Sequence, residues 1–282
     1  MSQFETLTPQ QWIVDCRSPQ LFNQLHIKFS TNIPASALFE RMHELPVKEQ
    51  LLIIIVDKEC YELAKTFFSE RSFKIKDYLF WEQIHSQLPL EDLEQGASNY
   101  RLWQPAPIVK DLVDIYLPKL DLRDNLCLDL ACGSGRDAMH MALNGFQVTA
   151  IGYSPTALER CRHSAKLLNL DIEIQCIDLE KKQDAPLPIK NENFDIIIVC
   201  RYLHRPLFES LKNWLVPGGV IAYHTFMRGA EKIGSPRNPD FLLEKGELSS
   251  LFSEFSVLAD DIVCLDDGRP MSYFIAQKAN VK

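Results

Sequence analysis

The sequence predicts an α/β protein of two domains, a small one over residues 1–95 and a larger one over residues 96–282. At about 150 residues per domain, a length of 282 residues suits two domains. All eleven glycines lie at or after Gly96, which indicates two differently built regions. In both regions short apolar runs alternate with segments of helical length. This alternation favours parallel sheets covered by helices.

The first region predicts two strands, each followed by a helix. Trp12–Asp15 is a short apolar run, and residues 51–56 form a continuous run with β-branched side chains, typical of a strand buried on both faces. Ser18 and Pro19 have the form of a helix start. Residues 61–71 place apolar side chains at helical spacing. We therefore expect a small α/β domain.

The second region predicts a longer alternation. After a leading segment, 96–110, with small, polar and proline residues, strands are expected at 126–130, 148–151, 172–177, 194–200 and 220–223. Helices are expected at 155–168 and 207–215. The last apolar runs, at 255–258, 262–265 and 272–277, have shorter connections. They predict an antiparallel edge on a mostly parallel sheet.

Charge, hydropathy and cysteine use exclude several classes of protein. The net charge of −8 disfavours binding to a nucleic-acid backbone. The longest apolar run falls far short of the about 20 residues that span a membrane, and no signal peptide is recognisable, so no membrane partner is expected. The eight cysteines form no C-x-x-C pair, which argues against a metal site and is typical of a reducing, cytoplasmic location.

One glycine turn carries most of the chemical information. Residues 128–138 read as a strand, a turn with Gly133 and Gly135, and the start of a helix. Glycine permits a sharp turn and a close ligand, and the helix start offers free N–H groups. The G-x-G-x-x-A spacing also fits a dinucleotide site. Asp129 at the strand end would repel a pyrophosphate, however, and suits a cationic ligand such as a sulfonium.

These residues resemble the class I S-adenosylmethionine-dependent methyltransferases, most closely the small-molecule branch that contains the tellurite-resistance enzymes, over about residues 100–280. The resemblance implies a Rossmann-like, mostly parallel seven-stranded sheet and S-adenosylmethionine as the cofactor. It also implies that Asp178 accepts a hydrogen bond from the adenine amino group, and that residues 217–219 form the turn before the fifth strand. The cofactor-binding residues implied are Asp129, Ala131, Cys132, Gly133, Gly135, Gly152, Tyr153, Asp178, Leu179 and Cys200.

The chain departs from this family at the end of the second strand. The family usually has an acid there that holds the two ribose hydroxyls, and here the matching residue is Gly152. The sequence leaves open whether Tyr153, a main-chain group or nothing replaces that acid.

Candidate catalytic residues follow the fourth and fifth strands. Arg201, His204 and Arg205 could hold an anionic substrate or relay a proton, since arginine binds oxyanions bidentately and histidine titrates near neutrality. His224 ends the fifth strand on the side where ligands collect. The alternatives are helix caps for the first three and a hydrogen-bonded core histidine for His224.

The first region resembles a rhodanese-like domain over about residues 8–86, on residues 14–19, Phe22, 26–27, 32–34 and the strand at 51–56. A catalytic rhodanese needs a cysteine at the end of that strand, within a loop of main-chain N–H groups. Here Asp57 and Glu59 occupy the loop, and Cys60 comes later. Acids there oppose a thiolate. We therefore predict a non-catalytic module that packs against the second domain, helps to present substrate or binds a protein partner.

Together these patterns predict an S-adenosylmethionine-dependent methyltransferase that acts on an unidentified small molecule. A thiol or a chalcogen oxyanion is a suitable acceptor, because a soft nucleophile aligned with the methyl group needs no general base. Three alternatives stay open at this point: a sulfurtransferase using Cys60, a nicotinamide-dependent oxidoreductase, and a cofactor-binding protein without turnover.

Overall fold

The computed structural model describes residues 11–46, 48–98, 100–181, 189 and 193–280. The chain forms two compact units, Met1–Gln104 and Pro105–Lys282. The division therefore falls within the segment 96–110, which the sequence assigned wholly to the second domain. The first part of that segment belongs to the first unit because Leu102 is buried in its core and Thr31 donates a hydrogen bond to the Tyr100 carbonyl at 2.9 Å. The outer ends of both predicted domains, 1–10 and 281–282, lie outside the described residues.

The first unit is built on a parallel sheet. Its strands are β1 (Trp12–Asp15), β2 (His26–Ile27), β3 (Ser30–Asn32), β4 (Leu52–Val56), β5 (Ile75–Phe80) and β6 (Leu93–Glu94). Its helices are α1 (Pro19–Gln24), α2 (Tyr61–Glu70) and α3 (Trp81–Ile84). Four strands pair in parallel in the order β3-β1-β4-β5, and β2 pairs with β6 in antiparallel fashion.

The middle strand β4 explains why this unit folds as predicted around its core. Leu52, Ile54 and Val56 pack into one apolar cluster, while Ile53 and Ile55 belong to another on the opposite face. Every residue of the strand is buried, as its continuous β-branched run indicated. The predicted start of α1 is also present, because the Ser18 hydroxyl accepts the Leu21 N–H at 3.3 Å.

The second unit contains the larger sheet. Its strands are β7 (Leu126–Leu130), β8 (Gln147–Gly152), β9 (Ile172–Cys176), β10 (Phe194–Cys200), β11 (Leu215–His224), β12 (Phe255–Cys264) and β13 (Pro270–Lys278). Its helices are α4 (Pro107–Asp111), α5 (Arg136–Leu143), α6 (Pro155–Leu167), α7 (Phe208–Trp214) and α8 (Glu247–Leu251). In the described residues the sheet has the order β12-β13-β11-β10-β7-β8-β9.

The sheet is Rossmann-like and mostly parallel, which confirms the predicted alternation. Strands β7 to β11 are parallel, and the last two strands form the antiparallel edge. Chain order runs outward from β7 through β8 to β9, then restarts on the other side with β10. The carboxyl ends of β7 and β10 therefore flank the point where strand order reverses, which is where open α/β sheets bind ligands.

Two strand boundaries differ from the prediction. Strand β11 begins at Leu215, and residues 217–219 shift its register against β10 rather than forming a turn before the strand. Gly219 is required there because a Cβ would lie 2.9 Å from the Val216 carbonyl oxygen. The runs 255–258 and 262–265 form one strand, β12. Exposed Asp260 and Asp261 interrupt its apolar pattern, since it is an edge strand with a register shift.

No helix among the described residues has the length and hydropathy needed to cross a membrane.

Candidate functional site

A cavity of about 550 Å³ opens at the carboxyl ends of the parallel strands of the second unit. Its volume is in the range of small-molecule sites. The residues that line it follow β7, β8, β9 and β10, and are Ala131, Gly133, Gly152, Tyr153, Ser154, Asp178, Leu179, Glu180, Lys181 and Tyr202. The cavity thus lies where the strand order reverses.

The glycine turn after β7 forms one wall of this cavity. Ala131 and Gly133 have φ values of 59° and 56°, in the left-handed region. Gly133 faces open space, so its main chain can approach a ligand directly. Gly135 caps α5 with φ 79°, and a Cβ at that position would overlap the Cys161 sulfur on α6. Glycine is therefore needed at the two positions for different reasons.

Asp129 does not line the cavity, in contrast to the expectation that it faces the cofactor. Its side chain is only 2% exposed, and its carboxylate accepts the Ala138 N–H at 3.0 Å. Along β7, Leu128 and Leu130 face one apolar cluster and Cys127 faces the other, so alternation turns Asp129 toward α5. Burial, with Asp137 adding to it, raises the pKa of Asp129 well above its ordinary value. The Asp129 carboxylate thus fixes the end of β7 to the first turn of α5.

Three other predicted cofactor residues also lie off the cavity wall. The Cys132 N–H donates to the Ile151 carbonyl at 2.9 Å and is not available to a ligand. Gly135 is buried in the helix cap. Burial, together with Asp137 and Asp129, raises the pKa of Cys200 well above its ordinary value, so this thiol stays protonated. These residues shape the turn and the sheet edge rather than the cavity surface.

The opposite wall contains the residues predicted after β8 and β9. Gly152, Tyr153, Asp178 and Leu179 all line the cavity, and the Tyr153 side chain is 72% exposed. The Asp178 carboxylate accepts the Glu180 N–H at 3.0 Å, which fixes the turn that carries both acids. Asp178 is thereby placed at the cavity with capacity to accept a further hydrogen bond.

Sequence reasoning missed four cavity residues, Ser154, Glu180, Lys181 and Tyr202. Each follows a predicted site residue by one or two positions, or lies within the segment after β10. A wider window around each predicted strand end would have included them.

Among the predicted catalytic residues, Arg201 and His204 lie in the segment that follows β10, on either side of the cavity residue Tyr202, but are not themselves among the residues that line the cavity. Arg201 follows β10 with φ 56°, and its N–H donates to the His224 carbonyl at 2.7 Å. A non-glycine residue in the left-handed region is strained, and such strain is concentrated at functional sites. His204 is half-buried at the start of the turn that leads to α7.

Arg205 and His224 have mainly structural contacts. The Arg205 guanidinium pairs with Glu247 at 2.7 Å and donates to the carbonyls of Asp240 and Leu242. It therefore anchors the segment before α8. His224 is buried, and its Nδ1 bonds to the Ser272 carbonyl, so Nδ1 must carry the proton. Burial lowers the pKa of His224 and keeps the ring neutral. The core-histidine alternative thus describes His224.

Asp137, in the first turn of α5, is a further acid that the sequence analysis did not identify. Its carboxylate accepts the Ala106 N–H at 2.7 Å, which fixes the segment before α4 to the start of α5. An acid in the first turn of a helix is a recognisable signal, because it complements the helix dipole.

The residues present fit S-adenosylmethionine. The open main chain at Gly133 can approach the ligand, the acids Asp178 and Glu180 can accept from amino and hydroxyl groups, and exposed Tyr153 offers a ring face to a purine. In the described ranges no group of three or more histidine, cysteine or acidic side chains is placed to hold a metal ion.

Comparison with known proteins agrees with this geometry. Residues 127–219, from β7 into β11, match the family described as "Methyltransferase domain". The chain contains an S-adenosylmethionine-dependent methyltransferase domain. The enzyme class and the cofactor expected from the glycine turn are thereby confirmed.

Similar proteins differ in how much of the chain they share. The "Uncharacterized protein UNK4.09" of Schizosaccharomyces pombe is 24% identical over 94% of this chain and 93% of its own length. A tRNA U34 carboxymethyltransferase of Glaesserella parasuis is 38% identical, but the alignment covers 40% of this chain and 37% of that protein. A ubiquinone biosynthesis O-methyltransferase of Histophilus somni is 29% identical over 49% of this chain and 63% of its own. These two characterised relatives therefore match less than half of this chain.

Among solved structures, TehB from Haemophilus influenzae is similar with a TM-score of 0.47 and 18% identity, over 61% of each chain.

Proposed function

We propose that this protein transfers the methyl group of S-adenosylmethionine to an anionic small molecule, as in the tellurite-resistance-like branch. The observation that carries the proposal is the charge at the edge of the sheet. Arg136 opens α5 directly after the glycine turn, and Arg201 follows the adjacent strand β10. Neither guanidinium forms an ion pair with any described residue. Burial lowers the pKa of Arg136, the charge of Asp137 opposes this, and the charge of Arg201 adds to it. Two unpaired cations here favour an anionic acceptor.

The residues of the site suit a nucleophile that arrives already ionised. S-Adenosylmethionine, when bound, supplies an electrophilic methyl group. The acceptor's lone pair forms a bond to the methyl carbon, and the electrons of the broken carbon–sulfur bond remain on sulfur. The chain's own residues need only align the acceptor and exclude water. Burial lowers the pKa of His224 and so weakens this ring as a proton acceptor, and a nucleophile that arrives ionised needs none. A thiolate or a chalcogen oxyanion meets these conditions.

The first unit is proposed to be a rhodanese-like module without sulfurtransferase activity. Cys60 lies just before α2, where its N–H donates to the Asp57 carboxylate at 2.8 Å. Burial raises the pKa of the Cys60 thiol to about 12, so the nucleophilic thiolate is scarce at neutral pH. This counts against the sulfurtransferase alternative. A role in presenting substrate or in binding a protein partner remains the proposal for this unit.

The nucleic-acid acceptor of the carboxymethyltransferase relatives is not proposed here. The formal charge of −8 opposes a phosphate backbone, and the alignments of those relatives cover only 39% to 42% of this chain. A small acceptor is consistent with the O-methyltransferase relatives, whose alignments cover 49% and 47% of this chain.

Methyl transfer from radiolabelled S-adenosylmethionine tests the proposal directly. The acceptors compared are small thiols, selenite and tellurite against neutral phenols and amines of similar size. We expect turnover with anionic acceptors, and a KM for the acceptor at least tenfold higher in Arg201→Ala, since charge-assisted hydrogen bonds contribute about 1.5–3 kcal/mol. The control is Arg162→Ala, on the exposed surface of α6. Turnover confined to neutral acceptors, or equal effects of the two variants, would refute the anionic acceptor.

A further inference from the structure

The ribose of the cofactor needs a partner that Gly152 does not provide. A Cβ at this position would lie 3.0 Å from the Leu158 Cδ2 and 3.3 Å from the Cys132 sulfur. A side chain at this position would therefore require Leu158 and Cys132 to shift by a few tenths of an ångström. Tyr153, the next residue, is largely exposed and carries a single hydroxyl at the end of a rigid ring. The diol must therefore be recognised from another part of the cavity.

The turn after β9 carries the carboxylates that line the described cavity, Asp178 and Glu180. The Glu180 N–H donates to the Asp178 carboxylate, which holds the two acids on one turn. Asp178 matches the position expected to accept from the adenine amino group, and its second oxygen suffices for that. Glu180 has no such assignment. Its carboxylate is exposed at the cavity and can accept two hydrogen bonds from neighbouring hydroxyls.

Tyr202 provides a second observation, from the segment that follows β10 and close to Glu180. Its ring follows β10 and packs against the core, and its hydroxyl is buried without a hydrogen-bond partner among the described residues. Burial raises the pKa of Tyr202, and the charges of Glu180 and Asp178 and the proximity of the Glu180 carboxylate, within hydrogen-bonding range, add to this, so the phenol stays neutral. A neutral phenol both donates and accepts. Because no hydrogen bond of ordinary geometry satisfies this buried hydroxyl among the described residues, it is available, beside Glu180, to a bound molecule.

We propose that Glu180 and Tyr202 together bind the ribose hydroxyls of the cofactor, in place of the acid missing at Gly152. The Glu180 carboxylate accepts hydrogen bonds from the diol, and the Tyr202 hydroxyl completes the contact from the end of β10. The assignment rests on the proposed function, because it requires an adenosyl cofactor in this cavity. The ribose is then recognised by residues that follow β9 and β10, and not by a residue at the end of β8.

The test is a thermodynamic cycle between the side chain and the ligand hydroxyls. Calorimetry would measure the affinities of wild type, Glu180→Gln and Tyr202→Phe for S-adenosylhomocysteine and for its 2′-deoxy and 3′-deoxy analogues. We expect Glu180→Gln to weaken S-adenosylhomocysteine binding about tenfold or more, and to have much less effect on at least one deoxy analogue. Tyr202→Phe should show coupling of the same kind, with a smaller factor. Glu159→Gln, on the exposed face of α6, is the matched control.

Two results would overturn the assignment. If Glu180→Gln weakens all three ligands equally, or none of them, Glu180 does not contact the ribose. If wild-type protein binds none of the three ligands while folded, the proposed function fails, and the ribose assignment fails with it. The first result leaves the proposed function standing, so the two failures are distinguishable.

Discussion

Replacing Asp129 by alanine is expected to cost stability first and cofactor binding only as a consequence. The carboxylate is buried and accepts the Ala138 N–H at 3.0 Å, so truncation leaves a buried donor without an acceptor. An unsatisfied buried donor costs about 1–3 kcal/mol. For a unit of this size, each kcal/mol lowers the melting temperature by about 2–4 °C. We therefore expect Asp129→Ala to melt roughly 2–12 °C below wild type.

The variant Asp129→Asn separates the hydrogen bond from the charge. The asparagine amide oxygen can accept the same N–H, but it cannot ionise. Burial, and then the charge of Asp137, raises the Asp129 pKa above 3.8, so the folded state binds this proton more tightly than the unfolded state does. Wild-type stability therefore falls as pH rises from 3.8 through the raised pKa. Asp129→Asn lacks this loss, so its stability relative to wild type should increase with pH.

Thermal melts of the three proteins at about pH 5 and about pH 8 measure both effects. S-Adenosylhomocysteine titrations of the same samples measure binding. If Asp129→Ala melts at the same temperature as wild type but no longer binds the ligand, then Asp129 contacts the cofactor directly, as the sequence alone suggested, and the structural argument is wrong. A difference between asparagine and wild type that does not change with pH would refute the ionisation argument.

Three further expectations follow from particular contacts. Gly133 and Gly145 both have positive φ and open space around them, so Gly133→Ala and Gly145→Ala should each lower the free energy of unfolding by about 1 kcal/mol. Only Gly133→Ala should also weaken the binding of S-adenosylhomocysteine, as measured by calorimetry. Equal affinities would show that the Gly133 main chain does not approach the ligand. Arg205→Ala removes the contacts to Glu247 and two carbonyls and should accelerate proteolysis between residues 228 and 245, whereas an unchanged cleavage rate would contradict the anchoring role. Burial lowers the His224 pKa below 6.5, so the unfolded state takes up the proton first and stability should fall as pH drops below about 6.5. His224→Gln should flatten that acid-side decline in urea titrations, and an unaltered decline would show that another group causes it.

The sequence was sufficient for the five parallel strands and for the helices α6 and α7 of the second unit, because their apolar runs are long and their turns are marked by glycine and proline. The start at Ser154 and Pro155 and the end of β10 at Cys200 follow from such local signals. Strand β5 of the first unit was not predicted. Lys76 and Asp77 of this strand are exposed to solvent, so its sequence lacks a strong apolar pattern.

The sequence predicted the strand ends at which the cavity lies, but only some of the residues that line it. The glycine turn and Asp178 have short sequence signatures, which local spacing can show. The Asp129 side chain points toward α5 because that helix covers this face of β7, and the packing of a helix on a strand is a tertiary property. The cavity contact of Tyr202 likewise depends on how the segments after β9 and β10 approach each other. Spacing along the chain does not carry that information.

Calorimetric titration of the full chain with S-adenosylhomocysteine, alongside NADH, tests the central claim most directly. The account predicts one S-adenosylhomocysteine site per chain and no NADH binding. By linkage, ligand at 100 times its dissociation constant should stabilise the protein by about 2.7 kcal/mol. Folded protein that binds NADH and not S-adenosylhomocysteine, or that binds neither, would contradict a methyltransferase cofactor site in the cavity beside Gly133 and Asp178.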